Sequence, residues 1–315
     1  MFLCSRVACG GTPRSSEVAK AEANYEVTLA MVMRRCRWKV CERTVADALH
    51  ERGYWFRKLR NKMILTPADV KERYAFAKEF KDKTVEWWRK SIHVHLDNHH
   101  FKVPTTSLGR KLLAKRRVRG AYRLKAKSLK QGHVKPDPKL RIQTGTKGIL
   151  KMGGVGGGKV LVWYTVAEQW SGAVAAAAYS RVVKPALVKQ YPGRKSFTIL
   201  EDNDPTGNCS TRGKNAKANA KLSVFTIPKR SPDLNVLDYA IWSEVERRMR
   251  KGERNMKTSR RETRAAFEKR LDRTALALPA SFINKAVGNM RERTQRLYKA
   301  KGGLFEEGGR SKRPL

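Results

Sequence analysis

The sequence predicts an α/β fold for most of the chain, and two observations support this prediction. Residues 197–200 and 223–227 are short runs rich in β-branched and aromatic residues, which is typical of strands. A helix is predicted after the second run, because apolar residues recur there at every fourth position. These residues are Leu237, Ile241, Val245 and Met249. Strands that alternate with amphipathic helices predict a sheet with helices packed on it.

Two carboxylates accompany these elements. Asp202 lies just after the first run, and Asp238 lies in the first turn of the helix, for which Asn235 is the predicted N-terminal cap. A strand end and a helix start can share one edge of a sheet. The sequence therefore predicts that Asp202 and Asp238 lie close together, whereas Glu244, nearly two turns further along the helix, is a weaker candidate for the same site.

The chain is strongly basic. Its 69 Lys and Arg residues against 28 Asp and Glu residues give a formal net charge of +41, which is far more than solubility requires and predicts a polyanionic partner. The 315 residues are enough for one sizeable domain and a smaller one. A hydrophobic content of 40% and seven Trp residues exclude a wholly disordered basic chain, because such a chain lacks core-forming residues.

The five cysteines are odd in number and scattered, which favours a reducing compartment over a disulfide framework. They are Cys4, Cys9, Cys36, Cys41 and Cys209. Structural zinc is not expected, because no second Cys or His pair with ligand spacing lies near Cys36 and Cys41. No apolar run approaches the ~20 residues of a membrane span, so we expect no membrane segment. The first ten residues lack the apolar core of a signal peptide.

The N-terminal part of the chain is predicted to hold a small helical region. Residues 1–20 carry little pattern and are predicted to be poorly ordered. Residues 21–66 are predicted to form a helix-turn-helix region with a basic linker, since 27–33 and 43–52 read as helices and Gly53 closes the second one. A helix-turn-helix of this kind can enter a major groove, although a plain helical hairpin has the same local pattern.

Two further segments are rich in basic residues. The linker over residues 54–66 combines basic with aromatic residues and fits either a contact with a phosphate backbone or a solvated connector. Between residues 109 and 135 there are eleven Lys or Arg residues and no acidic residue. Because so many like charges repel unless they are neutralised, this segment is predicted to be an arm or loop on DNA, and secondarily a nuclear-import signal.

A helix from Pro67 to about Lys90 is predicted to precede the first strand of the sheet. In that strand the residues expected to face the core are Ile92, Val94 and Leu96. The residues expected on the opposite face are His93, His95 and Asp97, and this face is predicted to be left for chemistry. Together with His99 they also permit a histidine-carboxylate site for zinc or iron, but such a site leaves the other two aspartates without a role.

The middle of the chain is predicted to continue the sheet. The glycines between residues 153 and 158 superficially suggest a phosphate-binding loop. Such a loop would follow a strand and carry Ser or Thr after its Lys, and these glycines do neither, so a flexible turn is predicted instead. Residues 159–166 and 171–179 are predicted to be a pair of strands, and 181–190 a helix. Residues 260–303 are helical by pattern, and a basic tail over 304–315 is expected to follow.

Several motifs resemble the catalytic core of the mariner superfamily of DDE/D transposases. They are HVHLDNHHF, LEDN, SPDLN and VLDYAIW, in that order along the chain, followed by a C-terminal KAKGG. RTVADALHERGY resembles the second DNA-reading helix of these proteins, which usually carry two helix-turn-helix units. Two departures are visible: Asn98 replaces the usual Glu, and Val236 the usual Pro. The resemblance spans roughly residues 40–303 and implies an RNase H-like, mixed-sheet catalytic domain with C-terminal helices over 67–303.

The resemblance also implies a catalytic site. Asp97, Asp202 and Asp238 match the three acidic residues of the family, which hold two Mg²⁺ or Mn²⁺ ions. Asp97 would bridge the ions, and each of the others would hold one. Hard oxygen ligands suit these cations, and two ions can activate a water or a 3′-hydroxyl and stabilise the leaving oxygen of a phosphodiester.

The implied function is a nuclear DNA transposase that cuts at transposon ends and joins the 3′-hydroxyl to target DNA. The implied partners are double-stranded DNA and a second copy of the chain in a homodimer. A decayed or host-adopted DNA-binding protein is the alternative, and a nuclease for RNA–DNA hybrids or junctions is a third. The predicted DNA-binding residues are Arg43, Thr44, Arg57, Lys58, Arg60, Arg110, Lys111, Lys115, Arg116, Arg117 and Arg119.

Overall fold

The computed structural model describes residues 28–37, 39–58, 65–104, 120–123, 146–254 and 262–305. These residues form two compact units. The N-terminal unit contains the described residues of 1–65 and 116–140, and the sheet unit contains those of 66–115 and 141–315. No helix in the described part of the chain is both long and apolar enough to cross a membrane.

The elements below are numbered in chain order over the described residues. The α-helices are α1 (Leu29–Cys36), α2 (Glu42–Glu51), α3 (Pro67–Phe80), α4 (Val85–Ser91), α5 (Gly172–Ala178), α6 (Lys184–Gln190), α7 (Thr211–Asn219), α8 (Trp242–Arg254), α9 (Arg264–Leu276) and α10 (Ala280–Lys299). The strands are β1 (Trp55–Lys58), β2 (Val94–Pro104), β3 (Gly120–Arg123), β4 (Thr146–Gly156), β5 (Lys159–Val166), β6 (Phe197–Glu201) and β7 (Leu222–Thr226).

The N-terminal unit contains the two helices that the sequence predicts. Thr28 caps α1 by accepting a hydrogen bond from the Met31 backbone N–H at 3.3 Å. Past the end of α2, Gly53 adopts a φ of 75° and donates to the His50 carbonyl, a left-handed turn that glycine favours. The predicted linker over 54–66 contains a strand instead of only a connector. This strand, β1, pairs antiparallel with β3, which lies in the basic segment.

The sheet unit is built on a five-stranded mixed sheet in the order β5-β4-β2-β6-β7. Strand β2 runs antiparallel to β4 and parallel to β6, and β6 runs parallel to β7. Along this unit, β2, β4 and β5 are followed by α5 and α6 and then by β6, α7, β7 and α8. Because β2 and β6 are parallel neighbours, the residues that follow Val94 and Ile199, which are partners in the register, approach the same end of the sheet.

Helices cover both faces of this sheet. Residues of α8 and α9, such as Val245 and Leu271, lie in the hydrophobic cluster on one face, and Ala175 of α5 and Leu187 of α6 lie in a second cluster. The prediction that one face of β2 is left for chemistry is therefore wrong for most of that strand. His95 is fully buried although it points away from the side of Val94, because helices close that face as well.

Two predictions for the middle of the sheet are wrong. Residues 171–179 form no strand, since α5 lies there: its alanine-rich sequence favours a helix, and Ser171 caps it by accepting from the Val174 N–H at 3.4 Å. The strand that pairs with β5 is β4, so Gly153 lies within a strand and only Gly157 and Gly158 form the turn. A glycine-rich run reads locally as a turn, because the neighbours that require glycine are distant in sequence.

The helical segments at both ends of the sheet unit also differ in detail from the predictions. The helix predicted over 67–90 is two helices, since α3 ends at Phe80 and Thr84 caps α4. The predicted helical region over 260–303 contains α9 and α10 and is confirmed. The predicted tail over 304–315 begins too early, because Phe305 is buried in the core. The predicted poorly ordered residues 1–20 lie outside the described residues.

Candidate active site

Asp97 lies within β2, opposite Gly153 of β4. Its side chain is half-buried and accepts a hydrogen bond at Oδ2 from the Trp242 indole Nε1, at 2.7 Å. Burial raises the pKa of the Asp97 carboxyl well above its usual range, and the nearby charge of Asp238 adds to this, while the indole N–H acts in the opposite direction.

Asp238 is placed by the SPDLN sequence. Residues Pro232–Leu234 form a 3₁₀ turn, and a π-helical turn over Leu237–Ile241 then leads into α8. Asn235 caps this helix, as the sequence predicts: its backbone is extended, its Oδ1 accepts from the Leu237 N–H at 3.1 Å, and its carbonyl accepts from the Tyr239 N–H at 3.1 Å. The apolar stripe predicted for this helix is buried and therefore confirmed. Asp238 itself is in the first helical turn, as predicted, and is exposed.

A buried arginine holds the 3₁₀ turn in place. The Arg73 guanidinium of α3 is fully buried and donates to both carboxylate oxygens of Asp233, at 2.8 and 2.6 Å. It also donates to Ser231 Oγ at 2.7 Å and to the Gly302 carbonyl at 2.9 Å. This bidentate pair fixes the segment that presents Asp238, and it joins that segment to the C-terminal end of the fold.

Asp202 follows the last residue of β6 and is exposed. Its Oδ1 accepts from Asn208 Nδ2 at 2.7 Å. Burial of the carboxyl group and the charge of Asp204 raise its pKa, and the bond from Asn208 counteracts that rise. The whole residue is nevertheless open to solvent, so the direction of the shift reflects the dense surroundings of the carboxyl group more than a closed site.

A buried polar network adjoins Asp202 and includes the preceding residue, Glu201. Glu201 forms an ion pair with Lys217 of α7, and the Tyr179 hydroxyl donates to Glu201 Oε2 at 2.5 Å. Lys217 Nζ also donates to the Asn208 carbonyl at 2.9 Å. Since Asn208 in turn binds Asp202, this network sets the position of the exposed carboxylate at the sheet edge.

The structure brings Asp97 and Asp238 close together at one edge of the sheet and places Asp202 near enough for its charge to act on both. The carboxyl groups of Asp97 and Asp238 are close enough for a hydrogen bond. Asp238 is exposed as a whole residue, but the atoms packed around its carboxyl group and the charge of Asp202 raise the pKa of that carboxyl to about 7. Like charges at this distance oppose one another's ionisation, so the group favours a cation among its oxygens.

The donor chemistry fits Mg²⁺ or Mn²⁺, because these cations prefer carboxylate oxygens. Within the described residues, however, no three His, Cys, Asp or Glu side chains already converge as the ligands of one ion would. The fit therefore rests on the close pair of Asp97 and Asp238 and on the charge coupling of Asp202 to both.

Two alternative ligand sets are not favoured by the structure. Glu244 forms ion pairs with Arg247 and Arg248 at 2.7 and 2.8 Å, which lower its pKa to about 2 and engage its carboxylate. His93 accepts from the Thr198 N–H at Nδ1, and its Nε2 lies 2.5 Å from Arg194 Nη1. Both ring nitrogens of His93 are thus engaged, which argues against the histidine-carboxylate site.

The predicted DNA-binding residues are only partly described. Arg43 and Thr44 lie in the first turn of α2, where the Arg43 side chain is 89% exposed. Arg57 and Lys58 are in β1. The remaining predictions lie outside the described residues; they are Arg60, Arg110, Lys111, Lys115, Arg116, Arg117 and Arg119.

Several residues that support the aspartates were not identified as such from the sequence. The important ones are Arg73, Gly153, Tyr179, Asn208 and Lys217. Their partners are distant in sequence, and no local pattern distinguishes a buried Arg or Lys from a solvated one. Trp242 was visible as part of the motif after Asp238, but its contact with Asp97 was not.

Comparisons with known proteins identify the fold. No family model matches the sequence, and no curated protein does. The structure is similar to the Mos1 transposase paired-end complex with left transposon end, with a TM-score of 0.61 and 16% identity over 89% of this chain and 75% of that chain. It is also similar to the Mos1 mariner paired-end complex with Mn, with a TM-score of 0.60 and 16% identity over 91% of this chain and 78% of that one.

The catalytic domain of Mos1 mariner transposase gives a TM-score of 0.54 at 14% identity, over 78% of this chain and 99% of that domain. At these identities the shared property is the fold. The fold class is therefore α/β, with an RNase H-like mixed sheet, as predicted. The particular fold is the one seen in Mos1, so the sequence resemblance to mariner transposases is confirmed as a structural one.

Proposed function

We propose that the chain is a mariner-like DNA transposase, which cuts phosphodiester bonds at transposon ends and joins the freed 3′-hydroxyl to target DNA. The observation that supports this proposal is the close pair of Asp97 and Asp238 with the charge of Asp202 acting on both, in a fold shared with Mos1 transposase–DNA complexes. All three residues match the acidic positions of the mariner motifs in order along the chain.

In this proposal Asp97, Asp202 and Asp238 hold Mg²⁺ or Mn²⁺. Two such ions, when bound, supply activation of a water or 3′-hydroxyl and stabilisation of the leaving oxygen. The protein's own contribution is positioning: the indole of Trp242 orients Asp97, Asn208 orients Asp202, and the turn held by Arg73 presents Asp238.

The DNA partner is proposed from charge and exposure. The net charge of +41 supplies a non-specific attraction to phosphates. Arg43 is exposed at the start of α2, where a helix can present it to a groove. Action on two transposon ends favours a homodimer, and a DNA substrate in a chain of this type favours the nucleus.

The test is Mn²⁺-dependent nicking of supercoiled DNA by the purified wild-type protein and Asp202→Asn, with Asp82→Asn as a control at an exposed aspartate far from the motifs. We expect Asp202→Asn to lower nicking by about 10²- to 10³-fold, because a preorganised charge at the reacting phosphate is lost. Asp82→Asn should match wild type, and chelation by EDTA should abolish nicking in both.

Equal nicking by wild type and Asp202→Asn would contradict the proposed site. An absence of nicking in both proteins, with DNA binding retained, would support the alternative of a decayed or host-adopted DNA-binding protein. Preferential cutting of an RNA–DNA hybrid would instead favour the hypothesis of a nuclease for RNA–DNA hybrids or junctions. A labelled 3′-hydroxyl end that becomes joined to plasmid DNA would establish the transfer step.

A further inference from the structure

Trp242 makes a side-chain hydrogen bond to Asp97. The indole is 3% exposed, and its Nε1 donates to Asp97 Oδ2 at 2.7 Å. Trp242 is the first residue of α8 and lies one helical turn beyond Asp238. The start of this helix therefore carries both the Asp238 carboxylate and the indole N–H that binds the Asp97 carboxylate.

Gly153 leaves the space that the indole ring of Trp242 occupies. Gly153 is the register partner of Asp97, and a Cβ atom at Gly153 would lie 2.4 Å from Cη2 and 3.0 Å from Cζ3 of Trp242. Contacts this short do not occur in folded proteins, so any larger residue would displace the ring. Strand β4 thus leaves room for the indole only because position 153 has no side chain.

Aromatic neighbours restrict the indole from its other sides. The His99 ring stacks on Trp242 with 5.1 Å between centroids and 18° between planes. Phe101 meets it edge to face at 5.8 Å, and Trp163 lies at the same distance. A ring packed in this way has one orientation, so the direction of its N–H bond is fixed.

We propose that Trp242 is a positioning residue that keeps the Asp97 carboxylate turned toward Asp238, so that the two can bind the same divalent cations. This inference rests on the proposed function. Two carboxylates of like charge repel, and without a fixed donor the Asp97 side chain would rotate away from Asp238. The N–H bond to Oδ2 opposes that rotation and leaves Oδ1 of Asp97 for a cation.

Trp242→Phe tests this directly, because phenylalanine keeps a ring in the pocket and loses only the N–H donor and the outer ring. We expect the affinity for Mn²⁺, measured by electron paramagnetic resonance of the free ion, to fall about 10- to 100-fold. The Mn²⁺ concentration for half-maximal nicking should rise by a similar factor, while DNA binding stays at the wild-type level.

Trp88→Phe is the matched control. Its indole belongs to the same hydrophobic cluster and is as deeply buried as that of Trp242, but its ring contacts are Phe80, Trp87 and Phe225 and none of the three aspartates. A general loss of packing would affect Trp88→Phe and Trp242→Phe alike. The positioning role is supported only if the loss of Mn²⁺ affinity is confined to Trp242→Phe, with unfolding midpoints compared by circular dichroism.

A second variant pair tests whether Gly153 acts through the indole. Gly153→Ala should weaken Mn²⁺ binding in the wild-type background, since the new methyl group displaces Trp242. In the Trp242→Phe background the Cη2 and Cζ3 atoms are absent and only the 3.1 Å contact with Leu237 Cδ2 remains, so the same change should add no more than about twofold. Fully multiplicative losses would show that Gly153 and Trp242 act separately and would overturn the coupling.

The outcomes separate this inference from the proposed function. If Asp202→Asn abolishes nicking while Trp242→Phe keeps wild-type Mn²⁺ affinity, the active site stands and the role of Trp242 is wrong. If neither Asp202→Asn nor Trp242→Phe alters Mn²⁺ binding, the proposed site itself is wrong. A loss of Mn²⁺ affinity in Trp242→Phe that is absent in Trp88→Phe supports both.

Discussion

Replacement of Arg73 by methionine is expected to lower the free energy of unfolding of the sheet unit by about 3–5 kcal/mol. The guanidinium is fully buried and makes hydrogen bonds to Asp233, Ser231 and the Gly302 carbonyl. Methionine fills part of the volume but donates no hydrogen bond, so Asp233, which is 4% exposed, is left as an uncompensated buried charge.

Urea unfolding followed by circular dichroism measures this loss. Arg247→Met is the control, because Arg247 is 62% exposed and its partner Glu244 keeps an ion pair with Arg248. That variant should stay within about 1 kcal/mol of wild type. Adding Asp233→Asn to Arg73→Met should recover part of the stability, since it removes the buried charge. An unfolding free energy unchanged in Arg73→Met would contradict the proposed role of the pair.

Arg73→Met should also reduce nicking beyond its effect on folding. The turn that contains Asp233 precedes Asp238 by a few residues, and it loses its anchor to α3 in this variant. Nicking is best compared at a temperature where both proteins are fully folded. Recovery of stability by Asp233→Asn without recovery of nicking would show that the anchor positions Asp238 as well as stabilising the fold.

The second large effect is expected for Lys217→Met, at about 3–5 kcal/mol of unfolding free energy. Lys217 and Glu201 are 7% and 3% exposed in their side chains, and Lys217 also donates to the Asn208 carbonyl. Removal of the ammonium leaves Glu201 buried with only the Tyr179 hydroxyl as a donor. The bond from Asn208 to Asp202 is expected to loosen in consequence, so nicking should fall together with stability.

Lys214→Met is the matched control, because Lys214 lies in the same helix α7 and is exposed. It should leave both stability and nicking near the wild-type values. The double variant Glu201→Gln with Lys217→Met removes both charges and should be more stable than Lys217→Met alone. If Lys217→Met and Lys214→Met unfold at the same urea concentration, the buried pair contributes nothing to the fold and this account of it is wrong.

Local patterns in the sequence predicted much of the fold. The predicted positions of Asp202, just after β6, and of Asp238, in the first helical turn, are those seen in the structure. These positions are predictable because strand and helix boundaries depend on nearby residues. The strand predicted over residues 171–179 is wrong, because the alanine-rich run there favours a helix by its own propensity. The turn predicted at Gly153 is wrong for a different reason, since the side chains that pack on this glycine, Trp242 and Leu237, are distant in sequence.

The sequence by itself determined the α/β alternation, the order of the three aspartates and the strong positive charge. These are properties of residue type and spacing along the chain. Only the tertiary structure decided that Arg73 and Lys217 are buried, that the indole of Trp242 lies on Gly153, and that Asp97 faces Asp238. The physical reason is that burial and hydrogen bonding of these groups depend on residues 9 to 229 positions away, which no local pattern contains.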